Sequence, residues 1–180
     1  MLEQRDQPLS REAEESLSAA ILDGVSQALV DLVLARRQEG SQTSTVLLER
    51  LLEIESCVTL AEAHPARSRE IILAKLRQQV ADIAADIAMS EDRLAQEALL
   101  LATKADIREE LDRLVAHLAS ARQLIRGGGA VGRRLDFLAQ EFNREANTLC
   151  SKSNAVELTA IGLDLKAAID QLREQVQNIE

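Results

Sequence analysis

"GRRLDFLAQEFNREANTLCSKS" occupies Gly132–Ser153, just after three glycines at Gly127–Gly129. Leu135, Leu138 and Leu149 fall at helical spacing and read as core, which predicts a helix over about 131–149. The same helix carries a polar stripe of Asp136, Gln140, Asn143 and Asn147, flanked by Glu141, Arg144 and Glu145. Asn favours helices poorly because its side chain competes for backbone hydrogen bonds. Two of them inside a helix point to a polar network or to a ligand contact. Three consecutive glycines cannot hold a helix, since each costs about 1 kcal/mol relative to Ala. They read as a turn joining this helix to the one before it.

The preceding helix starts near Thr103 and carries Ile107, Leu111, Leu114 and Leu118 on its apolar face. Thr103 with Asp106 three residues on resembles a capping box, although Glu or Gln is the usual partner. Opposite the leucines, Asp106, Glu109, Glu110, Arg113 and His117 form one stripe. A hairpin across the glycines brings the two stripes near each other. Carboxylates at such spacing can hold Mg²⁺ or Mn²⁺, because hard cations take oxygen ligands. A nearby Arg or Lys can clamp a phosphate, and His can move a proton. Together these are parts for metal-assisted phosphodiester cleavage. The spacing equally suits a solvated face whose Glu–Arg pairs only support the helix.

Outward from this hairpin the chain reads as helices. Ser10 can cap a helix with Glu12, Glu14 and Glu15 in its first turn, and Leu17, Ile21, Val25, Leu29, Leu32 and Val33 recur along it. Arg36 and Arg37 followed by Gly40 predict its end. A second helix, about 43–63, has Leu47, Leu51, Ile54 and Val58 on one face, and Pro65 marks its limit. His64 reads as a turn cap. A third, about 66–89, carries Ile72, Leu76, Val80, Ile83 and Ile87; Ser90 is placed to cap a fourth, about 91–101. After the "SKSN" turn, Asn154 and Glu157 can cap a last helix, about 155–179, with Ile161, Leu165, Ile169, Leu172, Val176 and Ile179 at near-heptad spacing. No segment alternates as a strand does. The fold class is all-α: long antiparallel helices forming a bundle or coiled-coil-like arm, plus a C-terminal three-helix region. Three segments are expected: a mobile arm at 1–9, a scaffold and oligomerisation region at 10–101, and a motif domain at 102–180.

Composition agrees. Phe137 and Phe142 are the whole aromatic complement, so the core must be aliphatic, which suits helix packing better than a sandwich. No uninterrupted apolar run reaches the ~18 residues of a membrane span, and no basic start precedes an apolar signal region. Cys57 and Cys150 form no CxxC pair, and two His are too few for a Cys/His zinc site; a reduced, cytoplasmic setting follows. Cys57 reads as a small buried residue, and Cys150 has no His beside it. The net charge of −9 alone argues against nucleic acid. Its distribution does not. Residues 122–152 hold Arg122, Arg126, Arg133, Arg134, Arg144 and Lys152 against Asp136, Glu141 and Glu145. That basic block can hold a phosphate backbone locally while the acidic remainder repels it.

The stretches "ADIREELDRLVAHL" (Ala105–Leu118), "GRRLDFLAQEFNREANTLCSKS" and the terminal "REQVQNIE" (Arg173–Glu180) resemble the YicC/YloC endoribonucleases. Weaker matches lie at "ARRQEG" (Ala35–Gly40) and "RLAQE" (Arg93–Glu97). Departures are small: Phe142 where Met is usual, Cys150 where Gly is usual, and Ala116 where Ser is usual. The strand-rich N-terminal domain of that family is not found here, so the expectation is a C-terminal portion. The resemblance implies a cytoplasmic RNA endonuclease that uses a divalent cation, Mn²⁺ or Mg²⁺, and assembles as a homo-oligomer, a hexamer in some members, with no DNA or membrane partner. Under it, His117, Glu141 and Glu145 are the candidate catalytic residues. Arg133, Arg134, Arg144, Asn143, Asn147 and Lys152 are candidates for substrate binding, and Glu109, Glu110, Asp136, Glu141 and Glu145 for metal. The alternative is a non-catalytic helical oligomer or RNA-binding adaptor, with the motif as a structural polar network.

Overall fold

The computed structural model describes residues 10–83, 91–177 and 179. The expected mobile arm at 1–9, the Ser90 cap and Ile87 lie outside these residues. The described chain is helical, with no strand among the described residues, as the all-α reading requires. The elements are α1 (Arg11–Ala63), a 3₁₀ turn (Pro65–Arg67), α2 (Arg69–Ile83), α3 (Glu91–Lys104), α4 (Arg108–Gly127), α5 (Gly132–Lys152) and α6 (Val156–Gln177).

α1 corrects the first expectation. The chain does not stop at Gly40 but stays helical for 53 residues. One glycine costs about 1 kcal/mol, whereas stopping and restarting requires a second, unfavourable helix nucleus. The chain divides into two compact units between Gln42 and Thr43. Before that division the apolar row is exposed: Leu17, Ile21, Leu22, Val25, Leu29 and Val33 are 48–68% exposed. This part of α1 is long and apolar enough to cross a membrane by length and composition alone, unlike the expectation drawn from uninterrupted runs. Asp23 and Asp31 interrupt the row, and a bilayer interior disfavours carboxylates.

The unit from Thr43 onward has one aliphatic core. Leu47, Leu51, Ile54 and Val58 of α1 meet Leu111, Leu114 and Leu118 of α4, Leu135, Phe142 and Leu149 of α5, and Leu165, Ile169, Leu172 and Val176 of α6. Burying each such side chain contributes about 1.5–3 kcal/mol before entropy is counted. Arg122 of α4 clasps Glu55 of α1 through two hydrogen bonds of 2.8 and 2.7 Å.

The turns show why these elements end where they do. His64 caps the 3₁₀ turn as expected, its Nδ1 accepting from the Ala66 amide at 3.2 Å. The Thr103–Asp106 capping box does not form, because α3 runs on to Lys104 and Thr103 Oγ1 donates to Leu99 O within it. Asp106 alone serves α4, its Oδ1 accepting from the Arg108 amide at 2.9 Å. Between α4 and α5, Gly128 (φ 65°) and Gly129 (φ 82°) occupy left-handed backbone that other residues rarely adopt. α5 extends three residues beyond its expected end and absorbs Ser151 and Lys152 from the "SKSN" turn. Asn154 instead ties that turn to the 3₁₀ segment, its Nδ2 donating to Ala66 O at 3.2 Å. α6 approaches α5 closely at Gly162, where a Cβ would lie 2.6 Å from Cys150 Sγ.

A candidate metal centre between α4 and α5

The glycine turn folds α5 back along α4, and the two helices meet through charge as well as leucine. Glu110 and Glu145 are buried at 3% and 2% exposure, the buried charged side chains among the described residues. Burial of a carboxylate is costly unless it is paired. Arg113 supplies the pairing: its Nη2 donates to Glu145 Oε2 at 2.7 Å and to Glu110 Oε1 at 3.3 Å, and its Nη1 to the exposed Glu109. The hydrogen bond to Glu145 above all lifts the Arg113 guanidinium well beyond its already high range. Lys152, one end of α5 away, donates to Glu110 Oε1 at 3.0 Å and to Asp106 O at 3.1 Å. A continuous chain of ion pairs therefore runs Lys152–Glu110–Arg113–Glu145.

At the end of that chain, His117, Glu141 and Glu145 converge. Each offers one ligand atom, and these atoms lie within 4.8 Å of one another. His117 reaches the group from α4, one helical turn beyond Arg113; Glu141 and Glu145 stand one turn apart on α5. Phe142 meets the imidazole edge-on, with ring centroids 5.8 Å apart and planes at 83°, and so fixes its plane. His117 Nε2 is buried and has no hydrogen-bond partner among the described residues. A buried nitrogen left unpaired is costly, which makes the imidazole a group in want of a ligand beside two carboxylates. One imidazole and two carboxylates suit Mn²⁺ or a comparable divalent ion. Arg113 engages only Oε2 of Glu145, and Arg144 touches Glu141 Oε2 from 3.7 Å, so both carboxylates retain an oxygen for the group.

The other candidate residues are spread around this centre. Glu109 is exposed and paired with Arg113. Glu110 is buried and held by two cations, with its Oε2 left without a partner among the described residues. Asp136 sits elsewhere on α5, accepting from Gln140 at 2.8 Å and lying 3.7 Å from Arg173 of α6. Asn143 turns to α6 and donates to Asp170 at 3.1 Å, and Asn147 is exposed. The hairpin therefore unites His117 with the flanking Glu141 and Glu145, not with the Asp136–Asn147 stripe. Arg133 and Arg134 line an open groove of about 700 Å³ at the glycine turn, next to the exposed Phe137. Sequence reasoning did not find Phe142 as the support for His117. Its place five residues from Phe137, on the core side of α5, was the available signal. Cys57 and Cys150 are free thiols whose pKa values burial pushes up, so neither is an activated nucleophile.

Fold and centre together define an all-helical chain with a carboxylate–imidazole group at a helical hairpin. Residues 61–180 match the family described as "Endoribonuclease YicC-like, C-terminal". The chain is 36% identical over 166 residues to a Haemophilus influenzae protein named "Probable endoribonuclease YicC", covering 92% of this chain and 57% of that protein. It is 32% identical over 170 residues to a Clostridioides difficile protein of the same name, covering 94% and 58%. The chain belongs to the YicC-like endoribonuclease family, and spans under three fifths of the length of these relatives.

Proposed function

We propose that this chain provides the cation-binding centre of an endoribonuclease that cleaves RNA, with His117, Glu141 and Glu145 as ligands of Mn²⁺ or Mg²⁺. The observation that carries the reading is the convergence of three ligand atoms, one each from His117, Glu141 and Glu145, within 4.8 Å of one another, on a histidine whose buried Nε2 has no partner among the described residues. When bound, the cation supplies Lewis acidity toward a phosphoryl oxygen and a more acidic water. Arg113 is a positioning residue: its pair with Glu145 fixes that carboxylate at the hairpin. Phe142 does the same for the imidazole. Arg144, exposed beside Glu141, can hold a scissile phosphate, and Arg133 and Arg134 can hold the strand at the glycine-turn groove. With little aromatic surface available, recognition rests on phosphate contacts, so binding should be weakly sequence-dependent and strongly salt-dependent. The exposed apolar row of α1 supports assembly with further copies of the chain, and two free thiols fit a cytoplasmic setting.

The test combines Mn²⁺ binding, followed by electron paramagnetic resonance, with cleavage of an unstructured RNA. His117→Ala and Glu141→Ala should each lose the bound ion and the cleavage. Wild-type binding and cutting in both variants would sink the assignment. The Arg113–Glu145–Glu110 network favours a second reading, a non-catalytic adaptor whose charges only hold the hairpin. It predicts no ion and no cleavage in the unmodified protein, with light scattering showing loss of oligomer in Arg144→Ala or Asn147→Ala.

A further inference from the structure

Lysines from three different helices line one cavity. Lys75 of α2, Lys104 at the end of α3 and Lys152 at the end of α5 share a space of about 340 Å³ with Ser151 and Asn154, and no carboxylate lines it among the described residues. That is unusual in a chain of net charge −9. Three lysines around one space concentrate positive charge there, offset at Lys152 by its pair with Glu110, and that charge attracts an anion.

Two of the three heads are already fixed. Lys75 Nζ donates to Asn154 O at 2.5 Å, and Lys152 Nζ donates to Asp106 O at 3.1 Å and Glu110 Oε1 at 3.0 Å. Lys104 Nζ has no hydrogen bond or ion pair among the described residues. Each ammonium carries three protons, so all three keep donors for a ligand. Of the neutral polar groups nearby, the Ser151 hydroxyl donates to Thr148 O and one Asn154 Nδ2 proton goes to Ala66 O, which leaves the ammonium groups as the main donors. Recognition would then come from charge-assisted bonds, which favour a phosphoryl oxygen over a neutral acceptor. The volume lies at the lower end of that of small-ligand sites, about 300–1,000 Å³. A second cavity of about 250 Å³ shares Ile72 and Ala105 with the first and adds Arg67 and Arg108. Asp106 lies in that second wall beside Arg67 and Arg108, so the purely cationic lining among the described residues is confined to the first cavity, the size of one phosphoryl group and its neighbours.

We infer that the Lys75–Lys104–Lys152 cavity is a phosphoryl-binding site, filled by the backbone of an RNA strand or by a free nucleotide. The site needs neither the cation nor cleavage; only the choice of RNA as a probe rests on the nuclease reading.

Binding is measured on the full chain in EDTA, which removes metal and turnover. The probes are a fluorescein-labelled, unstructured RNA dodecamer, read by anisotropy, and a 5′-mononucleotide, read by calorimetry. Lys104→Ala and Lys75→Ala should each weaken binding several-fold. Each should also reduce the slope of log K against log salt for the RNA by about 0.7, the value of one phosphate contact on a single strand. Lys104→Arg, which keeps the charge, should restore both, and circular dichroism checks that the variants fold. Loss confined to the RNA assigns the strand, and loss confined to the mononucleotide assigns the free nucleotide. Unchanged affinity and slope with both probes would overturn the site. Because His117→Ala leaves this cavity intact, failure of the metal centre and failure of the lysine site read out separately.

Discussion

The two sides of α5 are built from similar polar residues and do different things. The side facing α4 places Glu145 and Glu141 against Arg113 and His117, where burial of Glu145 makes its charge consequential. The side facing α6 presents Asp136 and Asn143, which settle into ordinary pairs with Arg173 and Asp170 near solvent. It also packs Cys150 directly against Gly162. Polarity in the sequence therefore marks α5, but the partner helix decides whether a polar residue becomes part of the His117 cluster, a clamp or a tether.

The sharpest way to break this contrast is Arg113→Ala. It strands the buried Glu145, leaves Glu110 to Lys152 alone, and should cost about 3 kcal/mol of stability by urea unfolding. That is the low end of the range for breaking a buried pair, because Arg113 itself is 37% exposed. Equal stability in the variant would mean that the α4 side is no more demanding than the α6 side. Next, if the proposed nuclease reading holds, Glu141→Ala should lower RNA cleavage by about 100-fold, a general magnitude for losing a group from acid–base or metal chemistry. Asn147→Ala, on the exposed side, should leave it within about two-fold, and equal losses in initial-rate assays would erase the distinction.

On the α6 side, Gly162→Ala pushes a methyl into Cys150 and Leu149 and should destabilise by about 1–3 kcal/mol. Pairing it with Cys150→Ala should recover part of that loss in thermal melts. Asn143→Ala removes one partly exposed hydrogen bond and should cost about 0.5–1 kcal/mol. The smallest effect belongs to Glu55. The hydrogen bond from Arg122 holds its carboxyl below the usual range, so the pair contributes above the unfolded pKa and is lost as pH falls through the folded one. Destabilisation by Glu55→Gln should be present at neutral pH and vanish in acid, as paired unfolding curves would show.

How much of this was legible depends on what period can encode. Leu47, Leu51, Ile54 and Val58, and Ile107 through Leu118, read correctly as buried because a row at helical spacing must face something in a packed unit. Leu17 through Val33 show the same spacing and are exposed, since period reports a face and not whether a partner covers it. The boundary at Gly40 failed because one weak helix residue competes against the cost of a new nucleus. At the site, His117, Glu141 and Glu145 were each singled out, and the glycine turn pointed to the hairpin that joins them. Which of the acidic residues meets the imidazole was not legible, because it depends on the rotation of α5 against α4. Lys75 and Lys104 could not be read at all: they lie far from Lys152 in the chain, on helices with no motif between them.

Cys150 has a practical consequence. Its thiol lies against Gly162, and burial raises its pKa, so alkylation of the closed form should be slow. Labelling there would report each separation of the last two helices, giving a clock for local opening that needs no added probe. Comparing that clock with the clock of Cys57, on the core side of α1, would show whether the C-terminal hairpin breathes alone or only when the whole unit comes apart.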